Sequence, residues 1–254
     1  MIWKSYVAVG DSFTEGLDDP YPEGGMYRGW ADLVATRLCA QVTDFGYANL
    51  AIRGRKLGPV IEEQVPVALA MEPDLISFAA GGNDALRRSF DGPALVTQLD
   101  EVVKRLRAGG ADLLLFGFAK LNDRLPGREL VRRRAELING AMAEVADRYG
   151  ARLVDLWSDD AFRDPLMWSV DRLHMNTYGH RRVAAHVLTA LGLTPEPSWW
   201  DLPAPVPVRS WVASRVDDAR WAGTHLAPWV KRRLTGRSSG DNRSAKRPTL
   251  GPSV

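Results

Sequence analysis

Apolar residues in this chain gather in short runs, and between the runs they recur at helical spacing. The runs are 5–10, 44–51, 74–81, 111–119 and 151–157. Each is short and largely unbroken, which predicts strands covered on both faces. Between them, Trp30, Leu33, Val34 and Leu38 share one face of a helix over 26–40. The stretch 56–71 reads as helical after a proline that suits a helix start. Leu95, Leu99, Val102, Val103 and Leu106 share a face over 93–108, and Gly109-Gly110 ends that helix. A long charged amphipathic helix is expected over 129–149, and a last one over 177–192, closed by Gly192. Strand and helix in alternation predict parallel pairing through right-handed crossovers. The expected fold is α/β: a three-layer α/β/α sandwich with a mostly parallel sheet of about five strands.

The pattern stops near residue 195, so residues 1–195 form the predicted domain. Over 196–235, closely spaced prolines predict an extended linker, with short helical candidates at 210–222 and 225–234. Residues 236–254 are polar, basic and rich in Gly, Ser and Pro, which predicts a disordered tail. From residue 196 onward there are ten Lys or Arg against five Asp or Glu, yet the whole chain carries only +2. That balance gives no argument for a nucleic-acid partner. In the extension, Trp211, Trp221 and Trp229 accompany Lys231, Arg232 and Arg233. They are read as packing onto the domain, with weak contact to an anionic membrane surface as the alternative. The single cysteine, Cys39, allows no internal disulfide and suits a reducing cytosol. The N-terminal stretch does not read as a secretory signal, and no run approaches the roughly 18 apolar residues of a membrane span. A cytoplasmic protein is expected.

In open α/β sheets the chemistry sits beyond the carboxyl ends of the strands. After the first strand comes Gly10-Asp11-Ser12, where a tight turn exposes a hydroxyl that needs a base to act as nucleophile. The bland alternative is an ordinary turn capped by Asp and Ser. The second strand leads to Asn49 and Gly54, and the third to Gly81-Gly82-Asn83-Asp84. An Asn83 amide there is placed to donate into the crevice, or simply to shape a Gly-Asn turn. Before the last helix comes Asp171-Arg172-Leu173-His174. That spacing lets a carboxylate hold an imidazole Nδ1–H and leaves Nε2 as a base toward a serine.

These four blocks, in this order over roughly residues 5–192, resemble the SGNH hydrolase superfamily, the GDSL-type esterases and lipases of the bacterial cytoplasmic type. The resemblance implies a flavodoxin-like sandwich and acyl-ester hydrolysis through an acyl-serine intermediate. It makes Ser12 the nucleophile, His174 the general base and then acid, and Asp171 the group that orients it. It assigns the oxyanion hole to the Ser12 and Gly54 backbone N–H groups and the Asn83 side chain. Phe13 stands where the family name has Leu, and Asn49 is read as loop support. Transfer of the acyl group to a sugar or alcohol hydroxyl uses the same residues and stays open, and a binding-only module is the non-enzyme alternative. The expected partner is a small-molecule acyl ester.

The remaining candidates are peripheral. Arg124 is a candidate contact for an anionic part of the substrate, and Trp168 a candidate wall of the acyl pocket. The loop 16–25 offers Asp18, Asp19, Tyr21 and Glu23 as a possible rim. A zinc site drawn from Asp171, His174 and His180 has no recognised ligand spacing, so no metal and no cofactor are expected. His180 and His186 are read as surface or half-buried residues.

Overall fold

Strand alternation divides the core into two layers. In β1 (Ser5–Gly10), Tyr6 and Ala8 face one cluster of buried side chains, and Val7 and Val9 face the other. The first cluster is completed by α2 (Gly29–Cys39) and α8 (Thr177–Ala190) through Trp30, Val34, Val183 and Val187. The second is completed by α3 (Leu57–Glu63), α6 (Gly92–Ala108) and α7 (Arg128–Tyr149) through Val60, Leu99, Val103, Ile138 and Met142. With apolar groups on both faces, the sheet is covered by helices on each side, as continuous apolar runs require. The computed structural model describes residues 2–121, 127–204, 211–228, 231, 235 and 237–252.

The parallel strands are β1, β2 (Gly46–Asn49), β3 (Leu75–Ala79), β4 (Asp112–Gly117) and β5 (Arg152–Asp155). The short helices α1 (Ser12–Glu15), α4 (Val65–Ala70) and α5 (Gly82–Ala85) fill the crossovers. The stretch 56–71, expected to be helical in its C-terminal half, forms two helices, α3 and α4, with Pro66 in the first turn of the second, where its missing N–H costs nothing. Sheet order is β5-β4-β3-β1-β2-β6, where β6 is Arg247–Pro252. The chain leaves β1 for β2 on one side and then crosses to β3 on the other. The carboxyl ends of β1 and β3 therefore flank the crevice in which ligands bind in such sheets.

The C-terminal segment departs from the expectation of a disordered tail. Residues Arg247–Pro252 form β6, an antiparallel edge strand on β2, with Tyr47 opposite Gly251 and Asn49 opposite Arg247. An edge strand forms on backbone hydrogen bonds and tolerates Pro and Gly at its solvent side, so it needs no apolar alternation. Just before it, the Lys246 ammonium is buried and lies 2.8 Å from Asp32 Oδ1. It also donates to the Tyr27 and Arg28 carbonyls at 3.0 and 2.7 Å. Between the domain and β6, the linker takes a helical turn at Pro197–Trp200, where the Trp200 carbonyl accepts from Arg182. Helix α9 (Trp211–Trp221) follows, and a π-helical turn over Ala222–Leu226 continues it. Trp229, Arg232 and Arg233 lie outside the described residues. Among the described residues, no helix is long and apolar enough to cross a membrane.

Candidate active site

Strand β1 turns into α1 at Gly10, and the turn requires glycine. A Cβ there would lie 2.5 Å from both the Ala79 carbonyl oxygen and Thr14 Oγ1. Gln64 clamps the same residue, donating to the Gly10 carbonyl and accepting its N–H, each at 2.9 Å. Asp11 caps α1 by accepting the Phe13 N–H at 3.1 Å. Ser12 is thereby held at the helix start, at the crevice end of β1.

His174 comes from the segment between β5 and α8. After β5, two 3-10 turns lead into a tight loop closed by a bridge between Trp168 and Met175. Asn176 locks the loop: its Nδ2 donates to the Leu166 and Trp168 carbonyls at 2.8 and 3.1 Å, and its Oδ1 caps α8. Inside the loop, Asp171 Oδ1 accepts from the backbone N–H groups of Leu173 and His174 at 2.9 and 3.0 Å. Asp171 Oδ2 lies 2.5 Å from His174 Nδ1, and His174 Nε2 lies 3.0 Å from Ser12 Oγ. Burial opposes the charged form of Asp171, yet the bonds and charge of His174 hold its carboxyl well below the usual range. Burial likewise pulls the His174 ring down, and the Asp171 bond and charge outweigh it, leaving the ring above its ordinary value.

Three donors were expected to take an oxyanion. Among the described residues, the backbone N–H groups of Ser12 and Gly54 have no hydrogen-bond acceptor. Gly54 holds φ +75°, a conformation that favours glycine. Asn83 is in place but engaged, because its Nδ2 donates to Asp11 Oδ2 at 2.9 Å and to the Arg55 carbonyl at 3.0 Å. Both of its hydrogens are thus committed, and an oxyanion beside Ser12 takes one only by displacing one of these acceptors. Asp11, read from sequence as part of the turn, is the residue that aims Asn83. Burial pushes the Asp11 carboxyl up to about 6, against the Phe13 N–H, the His174 charge and the Asn83 amide.

The other expected site residues are distributed differently. Trp168 is buried, donates to the Phe162 carbonyl at 2.6 Å and also lines a cavity beside Ser12, so it is at once core and wall. Arg124 lies outside the described residues. Asp19 and Tyr21 turn inward: Asp19 is buried against Arg28 and Thr177, and Tyr21 donates to Asp32 at 2.7 Å. Asp18 reaches Ser169 Oγ at 2.6 Å, and Ser169 Oγ lies 2.9 Å from Asp171 Oδ1. Sequence spacing did not predict that second carboxylate, because 151 residues separate Asp18 from Ser169. His180 is buried rather than superficial. Its Nδ1 accepts the Trp30 N–H at 3.3 Å and its Nε2 faces the Leu17 carbonyl at 3.1 Å, while burial lowers the ring to about 4. It is neutral and structural, because Phe13 stacks on it and α2 bonds to it. Asp18, Asp171 and His174 bring possible ligand atoms within 4.8 Å of one another. Asp171 and His174 spend those atoms on each other, and Asp18 spends its own on Ser169.

Two cavities meet at Ser12 and His174. One holds about 150 Å³ and is apolar, walled by Phe13, Phe116, Phe118, Leu121, Trp168 and Met175. The other holds about 540 Å³, extends past Gly54 and Asn83, and is closed on its far side by Trp221, Thr224, His225, Ser238 and Ser239.

A serine hydroxyl, an imidazole, a carboxylate and N–H groups without acceptors, gathered at a sheet switch point, suit acyl transfer. Residues 8–182 match the profile of the GDSL-like Lipase/Acylhydrolase family. The chain belongs to that family. This GDSL-like acylhydrolase is an ester-cleaving hydrolase, and the family implies small-molecule ester substrates. No curated protein sequence matches it. Solved structures share its fold. LAE5, an alpha/beta hydrolase enzyme from the metagenome of Lake Arreo in Spain, is 23% identical with a TM-score of 0.61, over 76% of this chain and 97% of its own. A variant of Axe2, an acetyl xylan esterase from Geobacillus stearothermophilus, is 18% identical with a TM-score of 0.61, over 82% and 97%. A lipase/acylhydrolase from Enterococcus faecalis is 19% identical with a TM-score of 0.60, over 76% and 98%. These structures are covered almost whole, whereas roughly a fifth to a quarter of the GDSL-like acylhydrolase lies outside each match.

Proposed function

We propose that this acylhydrolase cleaves short-chain acyl esters through an acyl-Ser12 intermediate. The observation that carries the reading is the unbroken line from Asp171 through His174 to Ser12, at 2.5 and 3.0 Å. Ser12 Oγ attacks the acyl carbon while its proton passes to His174 Nε2. Negative charge then rests on the former carbonyl oxygen, within reach of the Ser12 and Gly54 N–H groups. Asn83 joins them by giving up one of its two acceptors. The acyl–oxygen bond breaks and His174 returns the proton to the leaving alcohol. Water then repeats the sequence in reverse and frees the carboxylic acid.

The apolar cavity is the natural seat of the acyl group. Its volume is that of an engineered cavity known to hold benzene, so it suits an acyl chain of about six carbons or fewer. The half-buried, unpaired Cys39 fits a reducing compartment, and we propose the cytoplasm as its location.

The direct test is Ser12→Ala assayed on p-nitrophenyl butanoate. Hydrolysis is expected to fall by about 10⁶ with the melting transition preserved. Wild-type activity in a folded Ser12→Ala protein would falsify this reading.

A further inference from the structure

The larger cavity is built as an anion site. Among the described residues, five arginines line it, Arg53, Arg87, Arg88, Arg134 and Arg237. The one carboxylate among the described lining residues is Asp171, already bonded to His174. Arg53 is neutralised by Glu15. The other four are in no direct ion pair among the described residues, although Asp84 lies near enough to Arg87 to feel its charge. Arg134 donates only to the Ala85 and Arg87 carbonyls, at 2.8 and 2.6 Å, so its charge is positioned but not cancelled. Guanidinium groups gathered on one cavity without ion-pair partners suit a ligand with oxygen acceptors.

The position of the cavity says which end of the substrate it takes. It shares Ser12 and His174 with the apolar cavity but lies toward Gly54 and the C-terminal segment. With the acyl chain in the apolar cavity, the alcohol part of the ester enters the arginine-lined one. Resting on the ester-hydrolase reading above, we propose that the substrate alcohol carries an oxyanion, a carboxylate or a phosphate, held by Arg87, Arg88, Arg134 and Arg237. Guanidinium groups match both chemistries through paired N–H donors. A low-dielectric pocket of one sign also concentrates such substrates from solution.

The test uses the full-length enzyme and two matched pairs of butanoyl esters. The first pair is 4-butanoyloxybenzoate and 4-butanoyloxybenzamide, each rate divided by that ester's own alkaline hydrolysis rate. The second is 1-butanoylglycerol 3-phosphate and 1-butanoylglycerol. At low salt, at least one anionic ester is expected to show about tenfold higher kcat/KM than its neutral partner, and added salt should erode the preference. Which pair shows it identifies carboxylate or phosphate. Arg87→Gln and, separately, the exposed Arg237→Gln should each shrink the anionic-to-neutral ratio several-fold. Arg105→Gln makes the same charge change on the exposed side of α6 and should not alter the ratio. Cleavage of the neutral esters with no preference for charge in either pair overturns the anion site and leaves the hydrolase standing. So does an unchanged ratio in both Arg87→Gln and Arg237→Gln. Failure to cleave any of the four, together with no labelling by a fluorophosphonate, overturns the ester-hydrolase reading as well.

Discussion

At the scale of single residues, the proposed mechanism ties the pH dependence of the reaction to His174. The ring must be neutral to accept the Ser12 proton, and its pKa lies above the ordinary 6.5. The base form is therefore lost as pH falls through a value above 6.5. A profile of kcat/KM should rise along one limb with a midpoint above 6.5 and then level off. Asp171→Asn removes the largest contribution that raises the ring. Its limb should move to lower pH, and kcat should fall by about 10⁴, as in a comparable serine site. A limb that stays put in Asp171→Asn would show that Asp171 does not act on this ring. Ser12, Asp171 and His174 were legible in the sequence because each sits in a short block whose spacing carries its own chemistry. The Asp11–Asn83 bond joins residues 72 positions apart, and the Ser169 bridge between Asp18 and Asp171 spans more than twice that. Nothing in local spacing encodes such pairs, since they exist only once the sheet has brought strand ends together.

At the scale of elements, the active-site loop is tied to a helix that lies outside the family match. Arg172, inside the Asp171–His174 turn, pairs with Asp218 of α9 at 2.7 Å. Its guanidinium also lies 4.5 Å from the Trp221 ring centre. An ion pair whose Asp218 is partly exposed adds under about 1 kcal/mol. A cation–π contact adds about 0.5–2 kcal/mol more. Removing the side chain should therefore loosen α9 without unfolding the sheet. Arg172 holds φ +63°, so glycine is the substitution that removes the side chain and relieves the backbone at once. In Arg172→Gly, amide hydrogen exchange over 211–221 should accelerate about tenfold, the equivalent of about 1.4 kcal/mol, while exchange in β1 and β3 stays unchanged. Equal exchange in both proteins would mean that α9 is held by other contacts. The main elements of the domain were readable because apolar periodicity reports what packs against a sheet on two faces. Strand β6 was not, because an edge strand is held by backbone bonds and one half-buried Leu250 against Gly46. A composition of Gly, Ser, Pro and Arg cannot reveal that kind of attachment.

At the scale of the whole molecule, the C-terminal segment is bound into the domain by a buried charge. Asp32 is 4% exposed and Lys246 is 10% exposed, and the pair lies 2.8 Å apart. Tyr21 and Tyr47 each donate a hydroxyl to the same carboxylate at 2.7 Å. Asn49 donates to the Tyr47 hydroxyl at 3.0 Å and to the Thr14 carbonyl at 2.9 Å. The network thus runs from the tail, through α2 and β2, to the helix that begins with Ser12. Lys246→Met leaves the Asp32 charge buried with two hydroxyls and no cation. Breaking such a pair from one side costs about 3–5 kcal/mol, whereas replacing both partners often costs little. Urea denaturation of Lys246→Met should therefore show a loss of about 3 kcal/mol. The double variant Asp32→Asn, Lys246→Met should recover most of it, because an Asn amide can still accept from one tyrosine and donate to the other. The comparison separates a charge effect from lost packing, since the double variant lacks the same lysine stem. If the two variants are equally destabilised, packing of that stem holds the tail. If neither is destabilised, β6 and the segment walling the larger cavity are held by backbone pairing alone.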